Sequence, residues 1–380
     1  MVKDSGSHPV LSVFCSPSRY VQGRDATRQL PQEILRLGIK GPCLILASPT
    51  AFSLLENIWR ESFEQAGLGI EVVVFGGECT RAEVARLVRE VDRIGASSLI
   101  GAGGGKTIDT ARAVAHESGV PVVCCPTTAA SDAPCSALSV VYHPDGDFES
   151  YLLYPRNPDL ILVDTEVIAK APVRHLVAGM GDALATRFEA EAARQAFRTN
   201  TVGGLSTMAG AALANLCYQT LLADGEAAIH AVRVGAVTPA LERVVEANTL
   251  LSGIGFESGG LALAHAVHNG LTVAPETHAF LHGEKVAFGT LVQLVMEGRD
   301  QSIVDEVMGF CVRVGLPITL GQLGLDQLSE TLLFRIAERV VADGETSHNM
   351  AFPVSQRSVA EALLATNAMG SAWLESSVLS

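Results

Sequence analysis

Four of the ten histidines, His265, His268, His278 and His282, fall in two neighbouring segments of low charge density, ESGGLALAHAVHNG and THAFLHGEKVAFG. A spacing of i,i+3 puts His265 and His268 on one helix face, and i,i+4 would do the same for His278 and His282. A third segment, GMGDALAT, sets Asp182 among small and apolar neighbours. A carboxylate with imidazoles and an open position is the donor set of a catalytic Zn2+ or Fe2+. The pattern is not HExxH, which disfavours metalloprotease chemistry. Each histidine alone is more often a packed or capping residue; several together in apolar, Gly-rich helices favour ligands, but spacing does not choose among them.

The segment SLIGAGGGKTIDTARAV sets a short strand, a glycine cluster and a helix in succession. Amides at a helix N-terminus attract phosphate, and glycines remove the side chains that would obstruct it. Two familiar patterns nearly fit. A Walker A turn needs glycine where Ile100 stands, and a dinucleotide fingerprint read from Gly101 needs glycine where Lys106 stands. The cluster therefore reads as a phosphate site or as a tight structural turn. The later loop PTTAASD, residues 126–132, reads as ribose or phosphate contacts or as a helix cap.

The elements that must carry these residues divide the chain in two. Cys43–Ala47, Ile70–Phe75, Ser98–Gly101, Val120–Cys125, Leu138–Tyr142 and Leu160–Val163 are short apolar runs bounded by Gly, Pro or Ser. Helical periodicity fills Phe52–Ala66, Arg81–Ile94 and Thr107–His116, with Val84, Leu87, Val88 and Val91 forming one stripe. Such alternation predicts a mostly parallel sheet covered on both faces, with nucleotide binding where the strand order reverses. From Thr165 onward Ala, Leu and Glu dominate and strand-like runs nearly vanish. The reading is an α/β domain over 1–163 and an all-helical domain over 164–380.

Composition sets the outer limits. The chain has 380 residues, 48% hydrophobic and 18% charged, with a net charge of −14. That excludes disorder and argues against nucleic acid or an anionic membrane as partner. No stretch approaches the roughly 18 apolar residues of a membrane span, and Val10–Cys15 is too short for a signal peptide. Eight scattered cysteines without a CxxC pair suit a reducing, cytoplasmic setting.

Taken together, SPSRYVQG, FGGEC, GGGKTIDTA, PTTAASDAPCSALSVVY, GDALAT, PALERVVEANTLLSGIGFESGGLALAHAVHNGL, HGEKVAFGTL and GETSHNM resemble the glycerol dehydrogenase branch of the metal-dependent (iron-type) alcohol dehydrogenase superfamily. The resemblance implies a dehydroquinate synthase-like fold, with an α/β dinucleotide-binding domain, an all-α C-terminal domain and an active site between them. It implies NAD-dependent oxidation of glycerol and related vicinal diols to dihydroxyacetone, and a likeness to octameric enzymes. On the matching positions it places metal ligands at Asp182, His265 and His282, binding Zn2+ with Fe2+ as the alternative. Cofactor contacts fall on Gly104, Gly105, Lys106, Thr107, Asp109, Thr127, Thr128, Ser136, Leu138 and Tyr142. Asp132 matches the polyol-binding carboxylate and Phe256 the aromatic beside the substrate, while His268 fits a proton relay or a ligand-orienting role. His348 and Cys135 lie in matching stretches with no role beyond packing.

One departure bears on the cofactor. Relatives carry an acid after the first strand, where it grips the adenosine ribose and repels a 2′-phosphate; Ser48 stands here. No nearby Arg or Lys supplies an NADP site, so NAD is expected. The rival readings are a lyase of dehydroquinate synthase type, a glycerol-1-phosphate dehydrogenase and a non-enzymatic binding protein. The first two need cations for a phosphorylated substrate, and only Arg187 and Lys285 flank the ligand segments.

Overall fold

The computed structural model describes residues 11–378. Its strands are β1 (Tyr20–Gly23), β2 (Cys43–Ala47), β3 (Ile70–Val74), β4 (Ser98–Gly103), β5 (Val122–Pro126), β6 (Leu138–Tyr142), β7 (Phe148–Leu153) and β8 (Leu160–Asp164). Among them run α1 (Leu30–Arg36), α2 (Pro49–Ala66), α3 (Arg81–Ile94) and α4 (Gly105–Ser118). β2, β4 and β8 are buried along their whole length, as parallel strands covered on both faces must be. Six strands form one parallel sheet in the order β1-β8-β5-β4-β2-β3. The order reverses beside β2, which has β3 on one side and β4 on the other.

Local chemistry explains the helices. Thr80 caps α3 by accepting from the Glu83 amide at 3.2 Å, and left-handed Gly95 ends it. Val84, Leu87 and Val91 are buried as the stripe requires. Ser48 caps α2 in the same way, accepting from the Ala51 amide at 3.2 Å.

Two features correct the sequence reading. Leu138–Tyr142 is not a member of the parallel sheet. It pairs antiparallel with β7 in a separate two-stranded ribbon, because the turn at His143–Asp147 sends the chain straight back and leaves no room for a crossover helix. β1 and β7 also escaped the reading. β1 is four half-buried residues that gain strand geometry only by pairing with β8.

After Asp164 the regular elements among the described residues are all helical, apart from one isolated bridge, Ser12–Leu205. The helices are α5 (Thr165–Ala169), α6 (Val173–Gln195), α7 (Met208–Arg233), α8 (Pro239–Glu246), α9 (Ser252–Gly259), α10 (Leu263–Leu271), α11 (His282–Glu297), α12 (Gln301–Val314), α13 (Glu330–Val340) and α14 (Gln356–Val378). A π-helical turn, Ala247–Leu251, joins α8 to α9. α6 and α11 meet backbone to backbone: a Cβ on Gly283 would lie 1.8 Å from the Ala178 carbonyl oxygen, and one on Gly181 would lie 2.3 Å from that of Gly283. Glycine is obligatory at this crossing, and it sets Asp182 beside His282.

The two halves share one core. Ile108, Cys124, Ile161 and Val163 of the sheet half pack in a single cluster with Met180, Leu184, Phe188 and Leu291 of the helical half. Among the described residues no single helix is long and apolar enough to cross a membrane.

Candidate functional site

Three ligand-type atoms converge where α6, α10 and α11 meet. One donor atom each from Asp182, His265 and His282 lies within 4.8 Å of the others. Asp182 is fully buried in the middle of α6, and its Oδ1 faces His282 Nε2 at 3.1 Å and His265 Nε2 at 3.4 Å. That Oδ1 has no hydrogen-bond partner among the described residues. Its other oxygen accepts from the Asp132 amide at 3.2 Å.

The imidazoles are held from behind. Glu189, two turns after Asp182 on α6, sits 2.6 Å from His265 Nδ1 and accepts from the Ala262 and His265 amides at 2.9 Å. His282 Nδ1 lies 3.0 Å from His268 Nε2, and His268 Nδ1 lies 3.0 Å from Asn269 Oδ1. Asn269 donates onward to Glu345 at 3.0 Å. Read as one network, the Nδ1 protons of His265, His282 and His268 point away from the centre. The Nε2 lone pairs of His265 and His282 then aim at the Asp182 oxygen. Two lone pairs and a buried carboxylate oxygen directed at one point repel each other unless a cation or protons lie among them. The donor set thus fits a divalent metal of the Zn2+ or Fe2+ kind.

Electrostatics follow the same geometry. Burial works to raise the Asp182 carboxyl, but His282 and His265 override it and hold it well below the usual carboxylate range. Burial lowers His265, yet Glu189 and Asp182 prevail and raise it well above an ordinary imidazole. His268 is pushed well below, by burial first and then by His282, Lys285 and His265. Asp132 is driven well above the carboxylate range by burial, with Asp182 adding to the rise. Asp132 lies just before the Ala133–Cys135 turn and takes a hydrogen bond on Oδ2 from the Ser252 hydroxyl at 2.8 Å. Ser252 opens α9, which also carries the buried Phe256.

The nucleotide-type turn lies at the sheet's reversal. β4 ends at Gly103 and α4 opens with Gly104 as a cap that makes no side-chain bond, so the first amides of α4 are left for a ligand. Cβ atoms on Gly104 and Gly105 would meet nothing within 4 Å, which leaves room above them. Thr127 follows β5 and donates its amide to the Gly103 carbonyl at 3.0 Å, with half-buried Thr128 next to it. Lys106 pairs with Glu78 at 2.5 Å and sits 4.9 Å from the centre of the Tyr142 ring. Leu138 is half-buried at the start of β6. Thr107, Asp109 and Ser136 differ from these in being buried. The Asp109 carboxylate is committed to Arg112 and the Val140 amide, so it faces the protein rather than the open turn.

His278 stands apart from the cluster. It ends on a separate 3-10 turn, Pro275–Ala279, and bonds the Thr272 carbonyl at 2.9 Å, so it shares no helix face with His282. The GETSHNM motif braces the site from outside: Thr346 donates to the Ala262 carbonyl at 2.6 Å and Asn349 to that of Leu261 at 2.8 Å. His348 itself is exposed, 3.3 Å from the Ala342 carbonyl, and Cys135 is buried and unbridged. Sequence reasoning missed Glu189, Ser252 and Asn269. Only Glu189 left a signal, being at i+7 from Asp182 on one helix face.

A parallel nucleotide-type sheet joined to an all-helical half that brings Asp182, His265 and His282 together fits a metal-dependent alcohol dehydrogenase, and the chain belongs to the iron-containing alcohol dehydrogenase family, whose model matches residues 17–165. Its relatives narrow the class. The glycerol dehydrogenase of Pseudomonas putida is 50% identical over 360 residues, covering 95% of this chain and 98% of its own. That of Thermotoga maritima is 50% identical over 361 residues, covering 95% and 98%. The crystal structure of glycerol dehydrogenase from Schizosaccharomyces pombe superposes with a TM-score of 0.92 at 40% identity, covering 97% of this chain and 93% of that one.

Proposed function

We propose that this chain catalyses the NAD-dependent oxidation of glycerol and related vicinal diols to dihydroxyacetone and its analogues. The observation that carries the reading is the convergence of Asp182, His265 and His282, with Asp132 attached to the same Asp182 carboxylate. When bound, a divalent cation supplies Lewis acidity that draws an alcohol's pKa toward neutrality, and a nicotinamide supplies the hydride acceptor.

The protein's own residues do the rest. Asp182, His265 and His282 would hold Zn2+, with Fe2+ the alternative ion for the same donors. His268 keeps the His282 ring in one tautomer, which favours the ligand-orienting role over the relay. Asp132 accepts a hydrogen bond from a second hydroxyl, which favours polyols over simple alcohols. Gly104, Gly105 and Lys106 take the cofactor phosphates, and Thr127, Thr128, Leu138 and Tyr142 line its path. Phe256 flanks the substrate. The sheet half, 1–163, is the nucleotide domain and 164–380 the metal-bearing domain.

The rival phosphorylated substrates find few cations. Of the two that flank the ligand segments, Arg187 is stacked 4.4 Å from the centre of the Tyr218 ring. Leu11, Phe197 and Met208 are large apolar side chains left exposed, which suits assembly of several copies, and the octamer is what the family resemblance implies. Light scattering on the purified protein reads that directly. A cytoplasmic setting suits the eight free cysteines.

The deciding experiment follows NADH absorbance with a panel of diols and monohydric alcohols, each with NAD and NADP, before and after chelation and zinc add-back. Diol-selective, NAD-linked turnover that chelation removes and zinc restores is the expected result. Turnover indifferent to chelation rejects the metal assignment, and preference for NADP shows that Ser48 has reset the cofactor choice.

A further inference from the structure

Arg112 belongs to none of the site assignments above, yet it is 2% exposed and its guanidinium reaches from α4 toward the segment that follows Asp132. Nη1 donates to the carbonyls of Ala133 and Ser136, the latter at 2.8 Å, and lies 3.3 Å from the Ser136 hydroxyl. Nη2 pairs with Asp109, one turn earlier on α4. Asp109 in turn accepts from the Val140 amide at 3.3 Å, and its main-chain carbonyl takes the Ser139 hydroxyl at 2.8 Å. The stretch from Ala133 to Val140 is thus fastened to the helix that opens at the glycine-rich turn. Glu257 of α9 holds its other side, accepting from the Ala137 amide at 2.7 Å and from Asn157, which also donates to the Cys135 carbonyl at 3.0 Å.

A buried ion pair adds little stability, since desolvation offsets the attraction. What a buried guanidinium adds is direction: a rigid planar fork satisfies a carboxylate and two carbonyls at once, which a lysine ammonium on a flexible stem does not reproduce. The far end of the fastened stretch is Asp132, whose amide bonds Asp182 and whose carboxylate bonds Ser252.

We propose that Arg112 is a positioning residue for polyol oxidation: with Asp109 it ties the cofactor-turn helix to the Ala133–Ser136 segment and so sets the placement of Asp132. It acts through Asp132, and the proposal rests on the polyol-binding role given to that residue above.

The test uses the full-length holoenzyme and two variants. Arg112→Lys keeps a charge beside Asp109 but loses the fork. The double variant Asp109→Asn/Arg112→Gln removes both charges, so neither is left buried alone. The readouts are kcat and KM for glycerol and for a monohydric alcohol, NADH affinity by fluorescence, and amide hydrogen exchange in residues 129–140. Both variants should exchange faster in that segment and show a raised glycerol KM, by about tenfold in the double variant, the worth of one well-placed hydrogen bond. The monohydric KM and NADH affinity should change far less, and Arg112→Lys should sit nearer wild type than the double variant. Wild-type exchange and wild-type glycerol KM in a folded variant overturn the proposal. Equal losses for glycerol, monohydric alcohol and NADH mark a merely structural residue and overturn it too. If the wild-type enzyme oxidises no polyol, the functional reading fails instead, and the exchange comparison still decides whether Arg112 holds the segment.

Discussion

At the scale of single residues, the site is built as much from what stands behind the proposed ligands as from the ligands. Glu189 offers two oxygens to three partners: the His265 ring, the His265 amide and the Ala262 amide. Glu189→Gln leaves one acceptor oxygen for these donors, so either the ring or the chain before α10 loses its hold. Metal affinity should fall by about 10- to 100-fold, the usual cost of losing such a partner. Competition with a chelator of known affinity measures it, and unchanged retention would show that Glu189 does not orient the ring. Asp132→Asn should raise the glycerol KM by about tenfold, one hydrogen bond's worth, while leaving a monohydric alcohol nearly unaffected. Equal shifts for both substrates contradict the polyol role. The sequence showed which histidines were candidates but could not separate four of them. His278 and His282 have helical spacing, yet a 3-10 turn ends between them, and no periodicity announces that break. Ser252 and Asn269 act through contacts distant in sequence, which only the folded chain makes.

At the scale of elements, the glycine crossing of α6 and α11 decides whether the ligands meet. A Cβ at position 283 would lie 1.8 Å from the Ala178 carbonyl oxygen and 2.9 Å from the Asp182 amide. Gly283→Ala must therefore push the helices apart, an overpacking cost of about 1–3 kcal/mol. It should lower both thermal stability and metal content. An alanine variant with wild-type melting and full metal occupancy would refute the close-approach argument. Apolar runs and caps made α3 readable to the residue, because Thr80 and Gly95 mark its ends. β6 was legible as a strand but not by its partner, since alternation says nothing about which strand lies alongside. β1 could not be seen at all, being too short and too polar to signal without β8.

At the scale of the molecule, the division into two halves is a division of function more than of core. Sheet residues such as Ile161 and Val163 pack in one cluster with Met180 and Leu291. Unfolding one half would expose the apolar face of the other, so both should melt together. The chain carries a reporter in each: Trp59 is buried on α2 in the sheet half, and half-buried Trp373 lies on α14 against the shared core. Variants keeping one tryptophan each, Trp373→Phe and Trp59→Phe, should give superimposable denaturation curves. Separate midpoints would mean that the two halves are independent units. The alternation of strand and helix made this architecture legible early. The shared core was not, because no local pattern says which apolar faces meet.

The bond from the Asp132 amide to the Asp182 carboxylate has one more consequence. A single side chain belongs both to the proposed ion cage and to the anchor of a connecting loop. An enzyme stripped of its ion leaves two imidazoles and that carboxylate to rearrange, and the loop loses its fixed mooring. Limited proteolysis should then nick the stripped protein near residues 127–133 sooner than the loaded one, and equal cutting would show that the loop does not feel the ion.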